Sequence, residues 1–368
     1  MTRKVFCTLN ELYDRTKAWN ESLSDDIVSS EHLAFHSPFG LTYEPEQESA
    51  ASGLFKAVEN LTLEETTNLT DHGFQQLCEK FLVRADWAKD EKKCPEELRK
   101  LIFDWKFENY DRADLMIRNR TNGGVKTRAV LSDQYTRYDN LDFIDAVIGA
   151  LDHADLRDNV RVWRPEISDD MRLYILFDDI QFDADAPPDP TNGDGGGGGG
   201  LKPAIYISNS EIGTGRARVH GGLYRSACIN GLVMGWNARD KFAQTHRWKS
   251  TTHMSVLMNE AIASAMKMSE TAAVAFLDSR AAILEPTKIN KIITDWGSKY
   301  GLLMDARKDW RTLCKVQADR EDRLSKFDLI NHAADVAGSL ENHKAREDME
   351  IMAGDLILAN NLPLAGGR

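Results

Sequence analysis

The feature that most limits this chain lies between Asn159 and Ile229, where four segments, NVRVWRPEIS, DMRLYILFDDIQF, KPAIYISNSEIG and RARVHGGLYRSACI, are rich in alternating, β-branched and aromatic residues. A period of two places every second side chain on one face, so each segment reads as a strand with a covered side. The third and fourth are joined by a turn at Glu211 to Gly215, which pairs them antiparallel. The second and third are separated by DADAPPDPTNGDGGGGGG, residues 183–200, whose prolines, aspartates and six consecutive glycines cannot pack a core. That tract is expected to be a flexible hairpin tip. It satisfies GxGxxG only because every position is glycine, and no helix follows to turn its N-terminus on a phosphate, so no dinucleotide site is expected there.

The sheet needs layers to cover it, and the flanking sequence supplies helices. DLMIRN and VKTRAVLSDQY, around a polar Asn119–Gly124 turn, read as a further hairpin. Asp139 or Asn140 can cap LDFIDAVIGALDHA, whose Leu141, Ile144, Val147, Ile148 and Leu151 share one helical face. From Leu9 to about Leu115 the pattern is mostly helical: Leu69, Phe74, Leu77 and Phe81 fall near helical spacing behind Thr70 or Asp71, and Pro95 opens PEELRKLIFDWKFENY. Beyond Ser250 a long Ala- and Met-rich helix runs toward Pro286, followed by helices with charged faces, and Met254, Met258, Met266 and Met268 read as gap-filling core residues. The expected fold is α+β, an antiparallel sheet with packed helices. Residues 1–110 form a mostly helical region, 111–250 a β-rich core with a short helix and the 183–200 loop, and 251–368 a helical C-terminal region.

Several functions lack their residues. Apolar runs such as Ala272–Leu277 fall far short of the roughly 20 residues that cross a bilayer, so no membrane span is expected. The N-terminal residues reach charge too early for a secretory signal, which makes the cytoplasm the expected compartment. Five scattered cysteines, none in a CxxC pair, indicate neither a disulfide framework nor a zinc ribbon. No GxxxxGK[ST], GxSxG, HExxH or EF-hand pattern occurs. His220, Cys228, His246 and His253 match no common zinc spacing, and the pairs Asp169–Asp170 and Asp178–Asp179 read as turn acids before magnesium ligands. No catalytic residue, metal or cofactor is nominated.

Charge does nominate a surface. The chain carries a formal net charge of -12, yet residues 201–250 hold Lys202, Arg216, Arg218, Arg225, Arg239, Lys241, Arg247 and Lys249 against only Glu211 and Asp240. One reading is a solvated face whose charges pair with acids elsewhere in the chain. The other is a footprint for phosphates, with Tyr224 and Trp248, beside Tyr206 and Trp236, as candidate stacking platforms for bases. Aromatic residues in strands also serve as core.

Four ordered blocks over roughly residues 60–250 carry a family resemblance: LTDHGFQQLCEKF, RAVLSDQYTRYDNLDFIDAVIGAL, IYISNSEIGTGRARVHGGLYRSACINGLVMG, and the His246-Arg247 pair. With their R-A-x-L-S-x-x-Y, N-S-x-x-G and R-x-x-C-x-N-G-L patterns they resemble a phage- and plasmid-encoded family long filed as a domain of unknown function. The resemblance implies a mobile element in a bacterial host and no particular reaction. The order of a Tyr-bearing strand, a short helix, antiparallel strands and a long helix is also similar to that of single-strand annealing recombinases, which implies binding of single-stranded DNA and assembly into oligomers, including rings. The function expected is therefore single-stranded DNA binding or annealing in recombination or replication. A structural or regulatory assembly protein and a metal-dependent phosphodiester enzyme using Asp178, Asp179 or Lys126 stand as alternatives.

Overall fold

The computed structural model describes residues 6–36, 38–43, 67–109, 113–121, 124–180, 182, 201–225, 232–235, 243–244 and 252–365. In chain order the elements are β1 (Phe6–Cys7), α1 (Leu9–Glu21), β2 (Leu23–Ser29), β3 (Leu33–His36), β4 (Gly40–Tyr43), β5 (Thr67–Leu69), α2 (Asp71–Lys80), α3 (Ala85–Lys89) and α4 (Glu96–Asn109). There follow β6 (Asp114–Arg120), β7 (Lys126–Ser132), α5 (Asn140–His153), β8 (Val160–Glu166), β9 (Asp170–Phe177), β10 (Leu201–Ser210), β11 (Ala217–Arg225), β12 (Leu232–Gly235) and β13 (Ala243–Gln244). The chain then turns helical as α6 (Thr252–Asp278), α7 (Ile289–Lys299), α8 (Met304–Glu321), α9 (Lys326–Ser339) and α10 (His343–Leu358).

The four alternating segments form β8 to β11, the centre of a sheet ordered β1-β8-β9-β10-β11-β12, antiparallel throughout, with β13 also on β11. Phe182 donates its N–H to the Leu201 carbonyl at 2.8 Å, so the chain leaves and re-enters this sheet at one place on either side of 183–200. The tract expected to be a hairpin tip itself lies outside the described residues. Leu173, Ile175, Ile205, Ile207 and Val219 fill one sheet face against α1, α5 and α6. The helix α6 crosses β11 so closely that a Cβ at Gly221 would lie 2.7 Å from the Ala265 carbonyl oxygen, and Ser269 hydroxyl donates to the Gly222 carbonyl at 2.9 Å. The helices α7 to α10 pack with the end of α6 around Trp310, Leu329, Ile330, Met349 and Leu356. The α+β expectation thus holds.

The N-terminal expectation needs correcting. Four of its strands, β2 to β5, join β6 and β7 in a second sheet ordered β2-β6-β7-β5-β4-β3, with only β5–β7 parallel. All seven residues of β2 pair with β6, so the expected division near residue 110 runs through a sheet. The strand β2, LSDDIVS, escapes periodicity because it buries Asp25 and Asp26 in place of apolar side chains. Tyr43 hydroxyl donates to Asp26 at 2.8 Å, Asn119 amide donates to the same carboxylate at 3.2 Å, and Arg118 pairs with Asp25. Buried polar groups need partners of this kind to offset their desolvation. The helix α2 begins at Thr70, as the sequence suggests, the hydroxyl accepting from Gly73 N–H at 3.1 Å.

Candidate nucleic-acid interface

The turn between β10 and β11 holds two oppositely charged side chains, and it sends them to different places. Glu211 is fully buried where the two sheets meet. It accepts from Arg128 at 2.7 Å, from Trp19 Nε1 at 3.1 Å and from the Asn140 N–H at 2.8 Å. Arg128 also reaches Asp169 at 2.8 Å, while Arg118 grips Asp25 through two bonds of 2.8 and 2.9 Å and pairs with Asp139 as well. Arg137 adds a second guanidinium to Asp139 at 2.6 Å. Burial alone would raise the Asp139 carboxyl, but the Arg118 and Arg137 charges outweigh it and hold it well below the usual carboxylate range. This network staples β2, β6 and β7 to the β10–β11 turn and the start of α5, with carboxylates matched to its arginines.

Arg216, at the other end of the turn, is exposed on the opposite side. The register explains what surrounds it. On the sheet face away from α5, Tyr206 lies opposite Tyr174 and His220, and two residues along β10 Ser208 lies opposite Arg172 and Arg218. A rung of aromatic rings is thus followed by a rung in which two arginines flank a serine. With neighbouring strands about 4.8 Å apart, the Arg172 and Arg218 backbones sit about 10 Å from each other. That gap is one that two guanidinium side chains can close around a single phosphate.

The helix α10 covers the aromatic rung and borders the arginine rung. Its Glu350, buried, accepts from the Tyr174 hydroxyl, and its Glu347, one turn earlier, pairs with Arg218 at 3.1 Å. Burial pushes the Glu350 carboxyl up to about 7, against the pull of the Tyr174 hydrogen bond and of Arg164 and Arg346. Between the sheet end and the first turns of α10 opens a cleft of about 280 Å³ lined by Arg172, Ser208, Thr214, Arg216, Arg218 and Lys344, with Asp170 and Glu347 at its edge. Thr214 hydroxyl donates to Asp170 and shares a 2.8 Å bond with Ser210, which fixes the turn. Among the described residues neither Arg172 nor Arg216 has an ion-pair partner, and Lys344 meets only Asp348, at 3.8 Å on the surface.

The nominated residues therefore divide. Lys202 is not available to a ligand: it is only 6% exposed and pairs with Asp178 at 3.0 Å, because the position it occupies on β10 faces Asp178 across the sheet. Tyr224 is a correction too. At 2% exposure its ring packs edge-on to Trp163, 5.4 Å away, inside the cluster that includes Tyr174 and Tyr206, so it cannot stack bases. Arg218 lies in the cleft, 39% exposed, but shared with Glu347. Arg216 lies there without a partner. Arg225 ends β11, opposite Leu201 and Leu232, and its side chain is outside the described residues. Arg239, Lys241, Arg247, Lys249 and Trp248 fall outside them altogether.

Sequence reasoning missed Arg172 and Lys344. Strand alternation carried a signal for Arg172, since it stands two residues before Tyr174 and so shares its face, but Lys344 comes from a helix more than a hundred residues away and carried none. Asp178 is engaged by both Arg161 and Lys202, whose hydrogen bonds overcome its burial and hold its carboxyl below the ordinary range. Both Asp178 oxygens are thus engaged, while Asp179 beside it is exposed. Among the described residues no group of three or more His, Cys, Asp or Glu side chains is placed to hold a metal ion, and no described helix is long and apolar enough to cross a membrane. In the annealing-type element order, the strand of the Tyr-bearing segment, β7, ends at Ser132 before Tyr135 and lies in a different sheet from β8 to β11. Comparison with protein families, with curated proteins and with solved structures finds no match for this chain.

Proposed function

We propose that the protein binds single-stranded nucleic acid, with the cleft beside α10 as a phosphate contact. One observation carries this reading: Arg172 and Arg216 line a concave site and, among the described residues, lack the carboxylate partners that engage Arg118, Arg128, Arg137 and Arg161 elsewhere. A guanidinium held in a cleft without a counter-charge favours an anionic ligand, and its planar fork suits phosphate oxygens. The Ser208 hydroxyl lines the same cleft, and the first turn of α10, whose dipole favours negative charge, stands beside it through Lys344. The basic residues of 236–250 extend the positive stretch in sequence. In the mobile-element setting that the sequence blocks imply, such binding serves annealing, recombination or replication, with protomers assembling along the strand.

The experiment is an anisotropy titration of single-stranded DNA at several salt concentrations. Phosphate-mediated binding loses affinity as salt rises, with a log–log slope of about -0.7 for each phosphate neutralised on a single strand. A binding curve indifferent to salt, or no binding at low salt, rules the reading out.

A further inference from the structure

We infer that the cleft beside α10 is a subsite for a terminal phosphate monoester of a nucleic acid, a phosphorylated strand end, in preference to a backbone phosphodiester. This rests on the nucleic-acid reading above and narrows it. Charge makes the first distinction. Among the described residues four cationic side chains and two carboxylates line the cleft, an excess of two positive charges. A phosphodiester brings a single negative charge, whereas a phosphate monoester carries about -1.5 to -2 near neutral pH and three acceptor oxygens. Only the monoester balances the site.

Shape makes the second distinction. A volume of about 280 Å³ lies at the small end of ligand sites, which run from about 300 to 1,000 Å³, and suits a phosphate with its sugar better than a run of nucleotides. The donors converge from separate elements: Arg172 and Arg218 from two strands, Arg216 from the turn, and Lys344 from the helix. Convergence of this kind surrounds a group that ends, while a passing backbone leaves by two exits. The lining makes the third distinction. Among the described residues it contains no aromatic side chain, and the tyrosine rings of the neighbouring rung are buried, so these residues offer bases no stacking platform. The subsite therefore reads the phosphate and is blind to sequence. Glu347 already neutralises Arg218 and acts against the ligand.

The test compares one single-stranded oligonucleotide carrying a 5′-phosphate, a 3′-phosphate or hydroxyls at both ends, by fluorescence anisotropy at fixed salt. A phosphorylated form is expected to bind about tenfold more tightly than the hydroxyl form, since it adds two or three charge-assisted hydrogen bonds. Arg216→Ala and Arg172→Ala, checked for folding by circular dichroism, are expected to cut that preference at least threefold, and Glu347→Gln to widen it. Inorganic phosphate as competitor should displace the phosphorylated form more readily than the hydroxyl form. Equal affinity for the three oligonucleotides overturns the terminal-phosphate subsite and leaves nucleic-acid binding standing. A preference that survives both arginine substitutions overturns its location. Failure of any oligonucleotide to bind overturns both readings together.

Discussion

The network around Glu211 and the cleft around Arg216 are made of the same side-chain types, five residues apart in one turn, and they differ in how their charges are closed. In the network, Arg118, Arg128 and Arg137 face Asp25, Asp139, Asp169 and Glu211, and backbone and indole N–H groups take up the remaining carboxylate oxygens. In the cleft, among the described residues, Arg218 pairs with Glu347 and Lys344 with Asp348, while Arg172 and Arg216 have no carboxylate. A buried charge without a partner costs several kcal/mol, so the interior can keep its arginines only by matching them. An exposed guanidinium faces no such demand and can stay open for a ligand. The contrast separates arginines that hold two sheets together from arginines that can bind, and the sequence alone, which shows both as basic residues on strands, does not make it.

The comparison is broken most severely at Arg118. Arg118→Met leaves the buried Asp25 and Asp139 with only the half-buried Arg137, at 3.5 and 2.6 Å, and chemical denaturation should report a loss of about 3–5 kcal/mol or failure to fold. A loss below about 1 kcal/mol would mean that the network is relaxed by solvent and does not staple the sheets. Arg118→Lys should not rescue it, because the two-pronged contact with Asp25 needs the planar fork.

The next effect concerns α10, which lies over the aromatic rung and borders the cleft. Glu350 has its carboxyl raised from 4.5 to about 7 in the folded chain, so the native state holds a proton that the unfolded state releases. The stability this group contributes is complete below about pH 4.5 and is lost as pH rises through 7. Glu350→Gln removes the titration, and its stability relative to the parent should improve by up to about 3 kcal/mol between acid and mildly alkaline pH. Denaturation curves of both proteins across that range give the difference directly. A constant difference would mean that folding does not shift the Glu350 carboxyl. A smaller loss, about 1–3 kcal/mol by thermal denaturation, is expected for Gly221→Ala, because the added methyl meets the α6 backbone at Ala265, which cannot rotate away. An unchanged melting temperature would show that α6 does not rest on β11 there.

Arg216→Gln, on the cleft side, should shift stability by less than about 0.5 kcal/mol, since the side chain is exposed and holds no carboxylate. The pair Arg118 and Arg216 thus gives the comparison its widest span within a single assay.

How far this was legible beforehand follows the same physics. The strands β8 to β11 are short runs of alternating, β-branched and aromatic residues and the helix α5 has one apolar face, and these patterns give them away. The strand β2 is invisible to that logic because its buried aspartates are compensated by residues of β4 and β6, far off in sequence. At the site, Arg216 and Arg218 could be nominated from local charge density, but burial of Tyr224 and pairing of Lys202 depend on β8, β9 and α10, whose placement no local pattern encodes. Charge density found the neighbourhood. Pairing decided its members.

The most direct measurement is the salt dependence of single-stranded DNA binding for the parent protein and for the Arg172→Gln, Arg216→Gln double variant, both confirmed folded by thermal melting. If the unmatched arginines of the cleft contact phosphate, the variant binds more weakly at every salt concentration and its log–log slope is shallower by about 1.4, two single-strand phosphate contacts. If the two proteins give superimposable slopes and affinities, the cleft takes no part in binding, and the distinction between matched and unmatched arginines does not locate the interface.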